Sequence, residues 1–318
     1  GRLYGRGTCD MKSFYAIALA RVPEMLERRI KNPIHFALSY DEEVGCTGAP
    51  SMIREMADVL PRPRAVIVGE PTNMEIMNAH KGVNGFQTTV TGHEAHSSQV
   101  HRGVSAVMTA AHLIEYLGGM MAENKAKTSP DCPFDPPFTT IHVGMVNGGT
   151  AMNIISRQCD FGWEIRNVPE DDAQQFVDRF NAYCEELLVE MRKVASECDI
   201  RSVLNANVPA LLPEKNGAAE ALCRHLTGKN STGVVSYATE GGQFQEGGFS
   251  TIICGPGFID QAHQPNEFIA LDQIWQCEIF LRKLIDYQAA SPAFRCTGAF
   301  SRTRNSCSPH RSRIPSSP

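Results

Sequence analysis

The sequence lacks any run of 18 apolar residues, and it lacks a basic stretch followed by an apolar one at its start. The first absence argues against a membrane-spanning helix, the second against a secretory leader. Excess positive charge is missing as well: 30 Lys and Arg stand against 35 Asp and Glu, a net charge of −5. A mildly acidic chain is a poor match to a protein whose main partner is DNA or RNA. The eleven cysteines show no CxxC pair and no repeated spacing. That pattern excludes a disulfide framework and favours reduced thiols in a cytoplasmic protein. What is present is 318 residues with 42% hydrophobic content, ample for two cores at about 150 residues per domain.

Both ends depart from a domain-like pattern. The opening GRLYGRGTCDMK runs straight into a glycine-rich turn and reads as the middle of a domain, with a segment expected upstream. Residues 291–318 hold seven Ser, four Pro and five Arg, with no acidic residue and no hydrophobic period. Such a composition buries too little apolar surface to offset its ordering entropy, so this tail is expected to be disordered and a candidate non-native extension. No aromatic platform accompanies its Arg residues, which argues against a nucleic-acid arm.

Three short apolar runs read as buried parallel strands: 34–40 (IHFALSY), 65–69 (AVIVG) and 251–254 (TIIC). Helical patterns cover 11–30, 47–59, 216–227 and 271–289. Strands alternating with helices predict an α/β fold with a mostly parallel sheet. The middle differs. Strand-like alternation at 84–91, 139–147, 158–166 and 199–204, with helices over 104–121 and 171–194, gives the order β-α-β-β-α-β. The expected organisation is a first part of an α/β domain over 1–79, an inserted ferredoxin-like α+β domain over 80–205, and a second part over 206–290.

Acidic and imidazole groups collect at the strand ends. Asp10 closes the first glycine turn, Glu42 and Glu43 follow IHFALSY, Glu70 follows AVIVG, and His263 lies beyond TIIC. Open α/β sheets bind ligands at the carboxyl edge of their strands. Singly, each residue has an ordinary role: a helix cap for Asp10, a dipole-favoured first turn for Glu42 and Glu43, a loop position for Glu70 and His263. Together, converging carboxylates require a compensating cation, and oxygen ligands with imidazole suit Zn, Mn or Co. Cys9 lies beside Asp10, but no His is placed to activate it as a nucleophile, so a buried neighbour is expected.

The motifs GRGTCDMK, DEEVG, GEPT, AHKGVNG, GHEAHSSQVHRGVSA, NGGTAMNIIS, EIR, TEGGQF and GPGFIDQAHQPNEFI occur in the order found in M20 metallopeptidases. Residues 1–290 resemble that family, and AHKG, TEGGQF and AHQPNEFI bring them nearest to its acetylornithine deacetylase branch. The resemblance implies a zinc-dependent amidohydrolase with two Zn²⁺ per subunit, Co²⁺ or Mn²⁺ being alternatives. It implies that Asp10 bridges the ions, that Glu43 and His263 bind one, and that Glu70 binds the other. Glu42 would be the general base.

His96 in the inserted domain would reach a neighbouring subunit's site and hydrogen-bond the developing oxyanion, so a homodimer is implied, with the inserted domain as its dimerisation or lid part. Asn153 and Arg166 resemble groups that hold a substrate carboxylate, a task suited to the planar Arg fork. Glu240 in TEGGQF would favour a substrate with a cationic side chain. The implied substrate is an N-acyl amino acid, N-acetyl-L-ornithine, cleaved to L-ornithine and acetate in arginine biosynthesis. Rival readings are another M20 amidase, such as succinyl-diaminopimelate desuccinylase or a carboxypeptidase, and a non-catalytic amino-acid-binding dimer. Two departures bear on this. The family's further metal-binding His, in an HxD motif upstream of the Asp10 turn, has no counterpart among these residues, and Ser13 stands where many relatives have Gly.

Overall fold

The computed structural model describes residues 1–290; the expectation for 291–318 lies outside the described residues. In chain order the elements are β1 (Arg2–Tyr4), α1 (Ser13–Ala20), α2 (Val22–Glu27), α3 (Ala49–Val59), β2 (Val66–Val68), β3 (Met77–His80) and β4 (Val83–Thr91). They continue with α4 (Ala106–Ala126), β5 (Thr140–Gly148), β6 (Gln158–Arg166), α5 (Ala173–Arg192) and β7 (Asp199–Val208). The chain closes with α6 (Ala218–Thr227), β8 (Gly233–Val235), α7 (Gly241–Glu246), β9 (Thr251–Ile253), β10 (Phe268–Ala270) and α8 (Leu271–Ala290).

One sheet has the order β2-β9-β3-β8. β2 pairs with β9 and β3 with β8 in parallel, while β3 meets β9 antiparallel, so this sheet is mixed. β9 is buried along its length because its two faces serve two cores. Ile252 packs with Leu226 of α6 and Phe280 of α8, whereas Ile253 packs with Ile53 of α3 and Phe244 of α7. Burial on both faces explains why this strand reads as an unbroken apolar run.

The second sheet, order β5-β6-β4-β7, is antiparallel throughout and follows the β-α-β-β-α-β element order. Period-2 alternation sends Phe86, Cys159, Phe161, Trp163 and Ile165 to one face, where Leu113 and Leu117 of α4 and Phe180 and Leu188 of α5 cover them. Both helices start on side-chain caps: Ser105 Oγ accepts the Met108 N–H at 3.2 Å, and Asp172 Oδ1 accepts the Gln174 N–H at 2.9 Å.

Two strands of chain cross between the sheets side by side. His80 and Leu211 exchange backbone hydrogen bonds of 3.2 Å in each direction. The fully buried His80 ring accepts the Gly242 N–H at Nε2 (3.2 Å), and its Nδ1 faces the Lys81 carbonyl at 2.8 Å, which puts its proton on Nδ1. Lys81 Nζ donates to the Pro136 and Phe138 carbonyls at 2.7 and 2.8 Å.

Two expectations are corrected. IHFALSY forms no strand and pairs with none among the described residues, and its Phe36 and Leu38 are exposed rather than buried. Apolar content alone does not bury a run; a strand also needs a hydrogen-bonded neighbour, and among the described residues β2 is the outermost strand of that sheet. The helix expected over 11–30 is two, α1 and α2, with Pro23 at the start of the second. Met11 and Lys12 belong instead to the turn before α1.

Candidate metal centre

The turn 5–12 is tied to Glu267, the residue just before β10. β1 pairs antiparallel with β10, Tyr4 opposite Phe268, and the Gly5 N–H donates to the Glu267 carbonyl at 3.0 Å. Gly7 takes a φ of +81°, in the left-handed region open to glycine. The Glu267 side chain, 2% exposed, accepts the N–H groups of Gly7 (2.9 Å), Cys9 (2.8 Å) and Asp10 (3.1 Å) and the Arg6 Nη1 donor at 3.1 Å. Burial alone would raise this carboxyl; the bonds from Gly7, Cys9, Asp10 and Arg6 outweigh it and hold the pKa at about 2. Cys9 is buried as expected, its thiol facing the Phe258 carbonyl and pushed up to about 11, mainly by burial.

That turn delivers Asp10 to His263. His263 Nε2 lies 3.0 Å from Asp10 Oδ2 and 2.9 Å from Glu43 Oε2. Ligand-capable atoms of Asp10, Glu43 and His263 all fall within 4.8 Å of one another, the one such group of three among the described residues. Glu43 Oε1 meanwhile meets Arg6 Nη2 at 2.6 Å. The loops that present these groups are locally strained: Asp41, Cys46 and His263 have φ of +55°, +54° and +55°, all without glycine's freedom.

Glu70 is buried and hydrogen-bonded to Asp10, so Asp10 meets both the three-residue cluster and Glu70. Burial first, then the charges of Asp10, Glu42 and Glu240, pushes the Glu70 carboxyl well above its usual range. Asp10 is raised by burial and by Glu43, against the opposing pull of Glu70, His263 and Arg6. Glu42 is raised by burial, partly offset by the Cys46 thiol that points at its Oε1 from 3.4 Å. Glu240, at the start of α7, is raised by burial and bonded to Ser39; its buried Oε1 has no hydrogen-bond partner.

Four carboxyls thus disfavour their charged forms in one place, which is what a bound cation would reverse. The donor set, carboxylate oxygens plus one imidazole, fits zinc or a similar divalent ion. Close backbone approach helps shape the site: a Cβ on Gly255 would stand 2.0 Å from the Gly69 carbonyl oxygen, next to Glu70.

His96, Asn153 and Arg166 lie on the inserted module, on elements separate from the acids. His96 and Asn153 are brought together: Ser97 N–H donates to the Asn153 carbonyl at 3.0 Å, and His96 bridges Ile154. The Ser98 N–H donates to His96 Nδ1 at 3.2 Å, leaving Nε2 as the protonated nitrogen of the neutral ring, exposed and free to donate. Arg166, at the end of β6, places its fork on Glu164, with Nε–Oε1 2.8 Å and Nη2–Oε2 3.2 Å.

Sequence reasoning passed over Glu267 and Arg6. Glu267 sits inside the quoted AHQPNEFI motif, yet its contacts span about 260 residues of chain, and no local spacing announces them.

The family model described as Peptidase family M20/M25/M40 matches residues 1–287. The acetylornithine deacetylase of Myxococcus xanthus is 32% identical over 292 residues, covering 90% of this chain and 72% of that protein. The acetylornithine deacetylase of Pasteurella multocida is 30% identical over 285 residues, with the same coverage. Among solved structures, the aminopeptidase PepT of Bacillus cereus superposes with a TM-score of 0.66 at 20% identity, covering 89% of this chain and 71% of its own. An M20 family metallo-carboxypeptidase of Sulfolobus solfataricus gives 0.64 at 15%, covering 91% and 78%. At such identities the structures speak for the fold.

Proposed function

The chain belongs to Peptidase family M20/M25/M40, a family of metal-dependent hydrolases, and from that premise we propose that it hydrolyses the acetyl amide of N-acetyl-L-ornithine to L-ornithine and acetate, in arginine biosynthesis and in the cytoplasm. The observation that carries the reading is the convergence of Asp10, Glu43 and His263, with Glu70 against Asp10 and Glu42 alongside. Asp10, Glu43 and His263 would hold one Zn²⁺, and Asp10 with Glu70 contributes to a second. Zinc bound there would polarise the scissile carbonyl and make a water nucleophilic at neutral pH.

The chain's own groups do the rest. Glu42 takes a proton from the attacking water as the new C–O bond forms, then delivers it to the nitrogen as the C–N bond breaks. Cys46 engages one oxygen of Glu42, leaving the other for that proton. The His96 Nε2–H donates to the carbonyl oxygen as it gains charge, from the inserted module of a second subunit. Asn153 and Arg166 hold the substrate carboxylate, and Glu240, with its unpartnered buried oxygen, meets the cationic side chain. A homodimer is favoured by the edge strand β5 and the loop after it, which expose Met145, Val146, Met152 and Ile154.

The direct test compares hydrolysis of N-acetyl-L-ornithine, N-succinyl-diaminopimelate and dipeptides by the zinc-loaded protein. The proposal expects the highest kcat/KM for the acetylated substrate and a preference for ornithine over norvaline that Glu240→Gln weakens. Faster cleavage of the succinyl compound or of a dipeptide would move the protein to another branch of the family.

A further inference from the structure

The carboxylate of Glu267 is outside the ligand set, yet its bonds reach both acidic ligands of the three-residue cluster. Its Oε1 accepts the Cys9 and Asp10 N–H groups at 2.8 and 3.1 Å; its Oε2 accepts the Gly7 N–H at 2.9 Å and Arg6 Nη1 at 3.1 Å. Arg6 then crosses to Glu43, Nη2 to Oε1, at 2.6 Å. The other Glu43 oxygen, Oε2, is the one that faces His263 Nε2 at 2.9 Å. Asp10 is therefore fixed through its backbone and Glu43 through a guanidinium, both from one buried anchor.

We propose that Glu267 and Arg6 are positioning residues that set Asp10 and Glu43 for a metal ion, with Arg6 occupying one oxygen of Glu43 so that Glu43 presents the other. The inference rests on the metal reading given above. Its physical basis is pre-organisation. Three backbone N–H groups converging on one anion fix a turn that glycine and short residues would otherwise leave free. A carboxylate ligand can bind an ion through one oxygen or two, and a partner bonded to one oxygen removes that choice. Arg suits this position because its fork spans two carboxylates at once, whereas a Lys ammonium is a single point of charge. Hydrogen-bond partners behind metal ligands typically change metal affinity by about 10- to 100-fold.

The two residues differ in what else their loss would do. Glu267 is buried, so Glu267→Gln disturbs the turn itself: its NH₂ group would face N–H donors. Arg6 is half exposed, and Arg6→Ala removes both the link to Glu43 and the Arg6–Glu267 pair, while leaving the Glu267 bonds to Gly7, Cys9 and Asp10 in place.

The test uses the 318-residue chain and reads zinc affinity by competition with a chromophoric chelator, the visible absorption spectrum of the Co²⁺-loaded form, and the Tm of the metal-free protein. Arg6→Ala should weaken zinc by about 10-fold and alter the Co²⁺ spectrum, the metal-free protein still folding with only a small drop in Tm from loss of the Arg6–Glu267 pair. Glu267→Gln should weaken zinc by about 100-fold. Arg6→Lys should recover only part of the affinity. Should Glu267→Gln fail to fold, Arg6→Ala decides alone. Wild-type affinity and an unchanged Co²⁺ spectrum in a folded Arg6→Ala protein would overturn the proposal while leaving the metal reading intact. A wild-type chain that binds no zinc would overturn the metal reading, and this inference with it.

Discussion

In the inserted module, polar groups inside the core are paired off. Trp163 Nε1 donates to Thr88 Oγ1 at 2.9 Å, Thr88 pairs with Ser202 at 2.9 Å, and the Trp163 ring stacks on Phe86 at 4.4 Å. At the acid edge of the other sheet the opposite holds. Asp10, Glu42, Glu70 and Glu240 crowd one another, each shifted toward its neutral form, and Glu240 leaves a buried oxygen without a partner. The first region is complete in itself, whereas the second gathers carboxyls whose crowding a cation would relieve. Sites that break local rules of satisfaction while their surroundings obey them are where function resides.

The comparison breaks most visibly under substitution in the two regions. Glu42→Gln should lower kcat by about 10²- to 10⁴-fold, the usual worth of a general base, while zinc content stays at the wild-type level. Zinc lost together with activity would show that Glu42 is a ligand, and elemental analysis beside steady-state kinetics separates the outcomes. In the inserted module Phe180, fully buried against the Trp163 ring, should behave as pure packing. Phe180→Ala should cost about 3–5 kcal/mol in urea unfolding and leave zinc affinity unchanged.

The junction between the regions gives a sharper, pH-dependent test. Burial holds the His80 pKa at about 4, below the ordinary 6.5. The unfolded chain therefore takes up this proton first. Stability from the neutral ring is full above pH 6.5 and is lost as pH falls towards 4, by up to about 3 kcal/mol. Urea unfolding of the wild type and of His80→Gln at pH 7 and pH 4 isolates this loss as the difference between them. An equal pH dependence in both proteins would contradict the assignment. The smallest effect belongs to a helix end: Ser105→Ala removes the α4 cap and should cost about 1 kcal/mol, read from the same unfolding curves, with no change in zinc binding.

The two regions were also unequally legible in the sequence. The inserted module follows a period-2 and period-3.6 pattern through long elements, and strands expected at 84–91 and 158–166 stand as Val83–Thr91 and Gln158–Arg166. The other sheet is built from strands of three or four residues, too short to carry a period, and β3 and β8 escaped notice. IHFALSY shows the converse error: an apolar run has no signature that separates a paired strand from an unpaired segment. Asp10, Glu43, Glu70 and His263 could be singled out as candidate ligands because each follows a glycine turn or an apolar run in the order of a known family, and the structure brings Asp10, Glu43 and His263 together. The Glu267–Arg6 brace could not, because a hydrogen bond across 260 residues leaves no spacing to count.

The central claim is that Asp10, Glu43 and His263 form a metal site, and the measurement closest to it is zinc per chain after exhaustive dialysis, in the wild type and in His263→Ala. The described ligands give one position three protein groups and the other only Asp10 and Glu70, and catalytic zinc ordinarily takes three. The account predicts about one tightly held zinc in the 318-residue wild-type chain and essentially none in His263→Ala. Zinc retained equally by both proteins, or by neither, would contradict it.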